Sequence, residues 1–218
     1  MEKPVRRFEE VAEAVGRAEN RIPRLEVRDL GPVSTSSGIY PMYLLHLDPD
    51  PSAPTPPLTV YLSGGIHGDE PAGVWALLEF LERYNGLDGP YPHTRFTILP
   101  CLNPGGFERN TRHNADDIDL NRQFRRDSPP PEVDLVKKAV GGCAFDLTME
   151  FHEDVDTPGF YLYELTQNGE RSWGREIINR ISEKYPVNRN EVIEETSAVD
   201  GLIHRSGEHD DFHHFIRS

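Results

Sequence analysis

The sequence predicts an α/β fold, in which a sheet carries helices on both of its faces. Apolar runs of strand length alternate with segments whose apolar residues recur every three or four positions, the spacing typical of amphipathic helices. Strands and helices that alternate along one chain form layers around a sheet. Ligands of such sheets gather beyond the ends of the strands, so the residues that follow each strand are candidates for a site.

Three elements are predicted at the start of the chain, a helix and two strands: Arg6–Ala18, Leu25–Leu30 and Tyr40–Leu47. Ser34–Gly38 is predicted as the loop between the strands. The proline-rich segment Asp48–Pro57 is predicted to be an extended connection, because proline fixes φ and lacks a backbone N–H. The strand Leu58–Leu62 follows and is ended by two glycines. Pro71 then fits the first turn of a helix with an apolar stripe of Val74, Leu77, Leu78 and Leu81.

The rest of the chain is predicted to contain five further elements. They are the strand Arg95–Leu99, the helix Glu132–Val140, the strands Phe145–Phe151 and Phe160–Leu165, and the helix Ser172–Tyr185. Between the first two of these, Leu102–Arg126 is polar, and a loop of that length in a compact domain is usually functional or disordered. The alternating strand is predicted to place Phe145, Leu147, Met149 and Phe151 on one face. No internal repeat or boundary is visible, so residues 1–218 are predicted to form a single domain.

Composition narrows the class of protein. A hydrophobic content of 36% and a charged content of 28% are typical of a soluble globular protein. The formal net charge of −14 argues against nucleic acid as a partner. No apolar run is long enough to span a membrane, and no signal-peptide core follows Met1. The two cysteines, Cys101 and Cys143, form no disulfide framework, so we expect a cytoplasmic location.

Three residues at strand ends carry the strongest chemical signal. His67 and Glu70 follow the strand Leu58–Leu62 and lie three residues apart, so both side chains can face one ion. His152 comes directly after the strand Phe145–Phe151. Imidazole nitrogens and carboxylate oxygens are ligands of catalytic Zn²⁺, which takes three protein ligands and leaves one position for water. A histidine ligand usually also needs an acceptor for its second N–H, and four acids near the ligands are candidates for this acceptor, namely Asp69, Glu150, Glu153 and Asp154.

The polar loop contains a second set of candidates, Arg112 and the pair Asn121-Arg122. A guanidinium matches a carboxylate through two parallel hydrogen bonds, and one directed at a carbonyl stabilises a developing oxyanion. The alternative interpretation is a solvated loop, in which both arginines pair with the nearby acids Asp116, Asp117 or Asp119.

The order of these motifs resembles that of the zinc carboxypeptidase superfamily. His67-x-x-Glu70, Asn103-Pro104-Gly105-Gly106, Thr111-Arg112, Asp119-x-Asn121-Arg122 and the strand-end His152 occur in the order seen in that family. The chain resembles in particular its compact branch, which includes succinylglutamate desuccinylases, aspartoacylases and murein-peptide amidases. The matching motifs extend from about Gly64 to Glu153, and the fold that the resemblance implies is a mixed, twisted sheet between helices.

The resemblance also implies roles for the candidate residues. It makes His67, Glu70 and His152 the ligands of one Zn²⁺ per chain. It makes Arg112 the arginine that polarises the carbonyl, and Asn121 with Arg122 the clamp for a substrate carboxylate. The implied activity is hydrolysis of an amide bond in a small peptide, as in a metallocarboxypeptidase, or in an N-acyl amino acid. A catalytically impaired zinc-binding protein is the alternative from another class.

One part of the family pattern is missing, because no glutamate with the flanks of the family's general base follows His152. Glu208 is a positional candidate, and Glu194-Glu195-Thr196 comes earlier than expected. The chain is therefore predicted to lack the usual C-terminal portion or to be an altered enzyme. Glu208 is expected to lie away from the zinc, which predicts weak activity or none. A second metal site at His209 and His213 is less favoured than a solvated tail.

Overall fold

The computed structural model describes residues 6–36, 38–49, 51–52, 56–84, 91–166, 172–205 and 215. The helices described in these ranges are α1 (Phe8–Arg21), α2 (Ala72–Arg83), α3 (Pro104–Arg109), α4 (Pro131–Val140) and α5 (Gly174–Ser182). The strands are β1 (Leu25–Thr35), β2 (Gly38–Leu47), β3 (Leu58–Gly64), β4 (Thr94–Leu99), β5 (Leu147–Phe151), β6 (Leu162–Glu164), β7 (Val192–Ile193), β8 (Thr196–Ser197) and β9 (Leu202–His204). A 3₁₀ turn in the described part of the chain spans Leu120–Arg122.

The chain divides into two compact units, one of residues 1–153 with 210–218 and one of residues 154–209. The single domain over 1–218 stays a prediction. In the described part of the chain, no helix is long and apolar enough to cross a membrane.

The first unit contains a five-stranded mixed sheet in the order β1-β2-β4-β3-β5. The pairs β1–β2 and β2–β4 are antiparallel, whereas β3 is parallel to both of its neighbours, β4 and β5. The carboxyl ends of β3, β4 and β5 therefore meet at one edge of the sheet. The segments that follow these three strands hold the candidate residues, as expected for ligand sites of α/β sheets.

Helices cover both faces of this sheet, which confirms the predicted fold class. On one face, α1 and α2 bury an apolar cluster that includes Val11, Val15, Val74 and Leu77. On the other face, α4 packs through Val133, Val136 and Val140. Burial of aliphatic side chains of this size stabilises the fold by roughly 1.5–3 kcal/mol each before the entropy cost of folding is counted.

Phe145 does not share the face of Leu147, Met149 and Phe151, so that part of the sequence prediction is wrong. Phe145 precedes β5 and contacts Tyr61 on the α4 side, with ring centroids 5.5 Å apart. The other three side chains pack on the side of α1 and α2. The alternation begins only where β5 pairs with β3, at Leu147.

Two further parts of the prediction also differ from the structure. β1 continues past Leu30 to Thr35 because a register shift between Asp29 and Pro32 accommodates the Gly-Pro step, with Gly31 at φ +123°. The segment Leu102–Arg126 is not a loop without elements, since it contains α3 and the 3₁₀ turn.

The second unit is small and has its own apolar cluster. β6 pairs in parallel with β9, and β7 forms a short antiparallel hairpin with β8. Ile193, Ala198 and Ile203 are buried together, with Tyr161 packed against them. Strands of two or three residues carry little periodicity, so the sequence did not predict β7, β8 or β9.

Candidate metal centre

A glycine-rich turn after β3 positions His67 and Glu70. Gly65 has φ +65°, a conformation that glycine adopts at no steric cost. Gly68 lies so close to α3 that an added Cβ would be 2.0 Å from the carbonyl carbon of Gly106. Because of this packing His67 is 2% exposed and Glu70 is 9% exposed. Helix α3 therefore packs against this turn and fixes its position.

The structure brings His67, Glu70 and His152 together. The Glu70 carboxylate lies between the two imidazoles, with Oε1 2.8 Å from Nδ1 of His67 and Oε2 2.7 Å from Nδ1 of His152. One ligand atom from each residue lies within 4.8 Å of the others. The strand-end positions expected from the sequence thus converge on one point.

This donor set fits a metal ion. Two imidazole nitrogens and one carboxylate oxygen are the ligand types of the His₂Glu catalytic zinc sites. Each of the three donor atoms lies within 4.8 Å of the other two, which is close enough for all three to contact one ion. Among the histidine, cysteine and acidic residues of the described ranges, His67, Glu70 and His152 form the group whose ligand atoms lie close enough together to share one ion.

Asp119 completes the surroundings of His67. Its Oδ1 lies 3.3 Å from Nε2 of His67, so both ring nitrogens of this histidine face a carboxylate oxygen. An acceptor at Nε2 fixes the tautomer that leaves Nδ1 free to bind a metal. The sequence pointed to Asp119 within the Asp-x-Asn-Arg motif but did not predict its contact with His67.

Two of the acids expected to accept from a histidine ligand have other contacts. The backbone N–H of Glu153 donates to Glu70 Oε2 at 3.1 Å, and its side chain accepts from the N–H of Ala72 at 3.0 Å. Glu153 therefore holds the first residue of α2 and the Glu70 carboxylate together. Asp154 accepts from the Tyr161 hydroxyl at 2.8 Å, within the second unit.

The charges of the cluster favour an ionised Glu70. Burial opposes its ionisation, but hydrogen bonds with His152 and His67 outweigh burial and hold the pKa of Glu70 far below its usual range. The hydrogen bond with His67 lowers the pKa of Asp119 to about 2, against the opposing effect of burial. Burial lowers the pKa of His67, yet the hydrogen bonds with Asp119 and Glu70 give a net rise. The carboxylates of Glu70 and Asp119 are therefore ionised, and they lie on either side of the His67 imidazole.

Arg112 lies at the rim of the same cluster. Its Nη1 donates to Glu70 Oε1 at 2.9 Å, and Nη2 lies 3.8 Å from Asp119 Oδ2. The side chain is 46% exposed, so part of the guanidinium faces solvent. Its carbonyl oxygen accepts hydrogen bonds from the N–H of Gly68 and the side-chain amide of Asn103. The backbone of Arg112 is therefore joined to the turn that carries the two candidate ligands.

Asn121 and Arg122 form the 3₁₀ turn that follows Asp119. The Asp119 carboxylate accepts from the backbone N–H of Asn121 at 3.0 Å, which places the turn beside the cluster. Oδ1 of Asn121 is buried without a hydrogen-bond partner in the described structure. Arg122 is exposed, and its guanidinium makes none of the ion pairs found among the described residues. Of the pairings expected for a solvated loop, the described residues show only the long contact between Arg112 and Asp119.

Two of the candidates for a general base belong to the second unit. Glu194 and Glu195 form the turn of the β7–β8 hairpin in the second unit, with φ of +48° and +59°. Glu194 accepts from the Thr157 hydroxyl at 3.2 Å. Glu208 and the histidines His209 and His213 lie outside the described residues.

Comparison with known proteins found relatives both by sequence and by fold. Over 93 residues the chain is 32% identical to carboxypeptidase SOL1 of Arabidopsis thaliana, a match that covers 39% of this chain and 19% of that relative. A solved candidate metallopeptidase from Shewanella denitrificans OS217 superimposes with a TM-score of 0.77 at 22% identity, covering 96% of this chain and 76% of that one. A metallo-carboxypeptidase from Pseudomonas aeruginosa, solved with (2-guanidinoethylmercapto)succinic acid, gives a TM-score of 0.62 at 22% identity, covering 95% and 56%.

These solved structures share the fold, and the sequence itself carries the family assignment. Residues 56–180 match the model of the succinylglutamate desuccinylase/aspartoacylase catalytic domain. That range is more than half of the 218 residues, and it includes His67, Glu70, Arg112, the Asn121-Arg122 pair and His152. With its mixed sheet and its His-Glu-His cluster at the ends of parallel strands, the chain belongs to the succinylglutamate desuccinylase/aspartoacylase family.

Proposed function

We propose that the protein is a zinc-dependent hydrolase that cleaves an amide bond in a small substrate with a free carboxylate. The observation that carries this proposal is the Glu70 carboxylate, held between the imidazoles of His67 and His152 and contacted by Arg112. Such a cluster joins a metal-ligating set to a cation that can bind the substrate carbonyl. Charge compensation of this kind is what acyl transfer from an amide requires.

His67, Glu70 and His152 would hold one Zn²⁺. A bound Zn²⁺ lowers the pKa of a coordinated water toward neutrality and polarises a carbonyl. Asp119 accepts from Nε2 of His67 and so keeps Nδ1 directed at Glu70, where it would be available as a metal ligand. Because Asp119 also faces Arg112, one carboxylate orients both a ligand and the carbonyl-binding arginine.

Arg112 contributes the donors for the reacting carbonyl. One of its nitrogens is bonded to Glu70, and its partial exposure leaves the remaining N–H groups available to a ligand. A guanidinium so placed stabilises negative charge as it develops on the carbonyl oxygen. Its hydrogen bond to Glu70 keeps the side chain in position before substrate binds.

Asn121 and Arg122 would bind the substrate carboxylate. They follow Asp119 directly, so a carboxylate held there lies within one short turn of the cluster. The exposed guanidinium of Arg122 offers a planar fork that matches a carboxylate through two hydrogen bonds. Because Asn121 and Arg122 follow Asp119 so closely, they would select small substrates that carry a free carboxylate.

The test is an assay of the zinc-loaded protein against parallel panels of peptides and N-acyl amino acids. Turnover of peptides with a free C-terminus would identify a carboxypeptidase, and turnover of N-acyl amino acids a deacylase. A chelator should abolish the activity, and Zn²⁺ should restore it. Protein that binds zinc stoichiometrically without turnover would identify a zinc-binding protein without catalysis, and failure to bind zinc would contradict the proposal altogether.

A further inference from the structure

Glu132 is a buried carboxyl outside the candidate centre. It lies in the first turn of α4 and is 2% exposed. Burial raises the pKa of this carboxyl, although hydrogen bonds from its own backbone N–H and from Asn114 oppose that shift. An acidic residue in the first helical turn is favoured by the helix dipole, but Asp134 provides this at the surface, paired with Lys138. The dipole alone therefore does not account for the burial of Glu132.

Asn114 is the side-chain partner of Glu132. Its Nδ2 donates to Glu132 Oε1 at 3.2 Å, and the residue is only 4% exposed. The other oxygen of Glu132 is buried without a hydrogen bond in the described structure. A buried polar group in this state is costly, so the arrangement needs a compensating role.

Asn114 closes the turn that spans residues 114–118. Its Oδ1 accepts from the backbone N–H groups of Asp116 and Ile118 at 3.1 and 3.0 Å. Its own N–H donates to the carbonyl of Ile118 at 3.1 Å. Asp117 inside the turn has φ +60°, a conformation that non-glycine residues adopt only when their surroundings hold them there. The Asn114 side chain supplies that restraint, and Glu132 anchors it to α4.

The turn connects the two residues that contact the candidate ligands. Arg112 lies two positions before Asn114, and its carbonyl accepts from the N–H of Gly68 at 3.3 Å. Asp119 directly follows the turn and faces Nε2 of His67. Any displacement of the turn would therefore move Arg112 and Asp119 together.

We propose that Glu132 is a positioning residue, which through Asn114 fixes the turn 114–118 and so sets Arg112 and Asp119 against the candidate metal ligands. This inference rests on the proposed function, because it concerns the same centre. Glu132 itself touches none of the ligand side chains in the described contacts. Glu132 acts on the turn through Asn114, which donates one hydrogen bond to Glu132 and accepts two from backbone N–H groups of the turn.

Three variants of the full chain test this role. Glu132→Leu removes the acceptor, Glu132→Gln retains an acceptor oxygen, and Val136→Ala perturbs a fully buried residue of the same helix without touching Asn114. Each is measured for zinc affinity by chelator competition, for amide hydrogen exchange at Gly68, and for melting temperature. The amide of Gly68 reports the contact between the Arg112 backbone and the ligand turn.

Glu132→Leu should weaken zinc binding about tenfold, the lower end of the range for residues that orient metal ligands. It should also raise the exchange rate of the Gly68 amide about tenfold. Glu132→Gln should restore both quantities to within about twofold of the wild type, and Val136→Ala should lower the melting temperature but change neither of them.

Two results would overturn the proposal: Glu132→Leu that leaves zinc affinity and Gly68 exchange unchanged, or Val136→Ala that alters them equally. Should Glu132→Leu not fold, Asn114→Asp replaces it, because it keeps the oxygen that closes the turn and loses the donor to Glu132. If the wild type binds no zinc, the proposed function fails, while Gly68 exchange still decides the role of Glu132.

Discussion

His67 and His152 contact the same carboxylate but are held in different ways. The side chain of His67 is 3% exposed, and each of its ring nitrogens faces an acid, Glu70 or Asp119. The side chain of His152 is 37% exposed, and its ring contacts Glu70 through Nδ1. One candidate ligand is therefore fixed by the protein, and the other is partly exposed to solvent.

The difference follows from where each histidine leaves the sheet. β3 lies between β4 and β5, and its glycine turn is covered by α3, so His67 enters a packed interior. β5 pairs only with β3 in the described five-stranded sheet, and all five of its residues are partly exposed. We therefore expect the candidate ligand that follows the central strand to be fixed before a metal binds, and the one that follows the last strand to be able to adjust.

Loss of either histidine should have the largest effect, on metal affinity. His67→Ala and His152→Ala should each weaken zinc binding by more than about 100-fold, since a lost ligand costs more than the ~10–100-fold of a lost orienting partner. Chelator competition followed by elemental analysis measures this. His93→Ala is the matched control, because His93 is exposed and precedes the amino end of β4, at the edge of the sheet opposite the cluster. Full zinc occupancy in both ligand variants would show that the assignment is wrong.

The stability of the metal-free protein should separate the two histidines. In the presence of a chelator, His67→Ala should lower the free energy of unfolding by about 2 kcal/mol, because Glu70 and Asp119 lose the buried group that links them. His152→Ala removes a half-exposed partner and should cost under about 1 kcal/mol. Urea unfolding curves give both values. Equal losses would mean that exposure does not decide how firmly each histidine is held.

Asp119→Asn should weaken zinc binding about tenfold, through His67 alone. The amide keeps the size of the side chain but offers His67 Nε2 a neutral acceptor in place of a carboxylate. The double variant with His67→Ala is the control, because Asp119→Asn should add little once the imidazole is absent. An effect that persists in the double variant would indicate that Asp119 acts on the metal by another route.

The sequence predicted the convergence of the ligands for a simple reason. Residues that follow parallel strands share one edge of a sheet, and the strand-end positions of His67 and His152, together with the resemblance to the zinc carboxypeptidases, indicated that the two side chains would meet. The contact of Asp119 with His67 was missed because the acids expected as acceptors were those next to the ligands in sequence, and Asp119 is 52 residues from His67. Contacts of that range depend on how a loop packs, which periodicity does not encode.

Helix α3 was missed for a different reason. Its sequence begins Pro-Gly-Gly, which is typical of a turn, and the helix forms because Asn103 caps it through a hydrogen bond from the N–H of Gly106 at 2.9 Å. Gly106 has no room for a Cβ beside the Asn103 side chain, and Gly68 of the ligand turn has none against the backbone of Gly106. A local pattern that disfavours a helix is here overcome by packing against the centre.

Arg122 should show the smallest effect on stability and a clear effect on binding. Its guanidinium is exposed and makes no described ion pair, so Arg122→Lys should change the free energy of unfolding by less than about 0.5 kcal/mol. The same change removes the planar fork, so the zinc-loaded variant should bind succinate, a small carboxylate without an amide bond, about tenfold more weakly. Calorimetry measures the binding, and Arg126→Lys, an exposed arginine on the same loop, is the control. A large loss of stability with unchanged binding would make Arg122 a structural residue and remove the carboxylate clamp from the site.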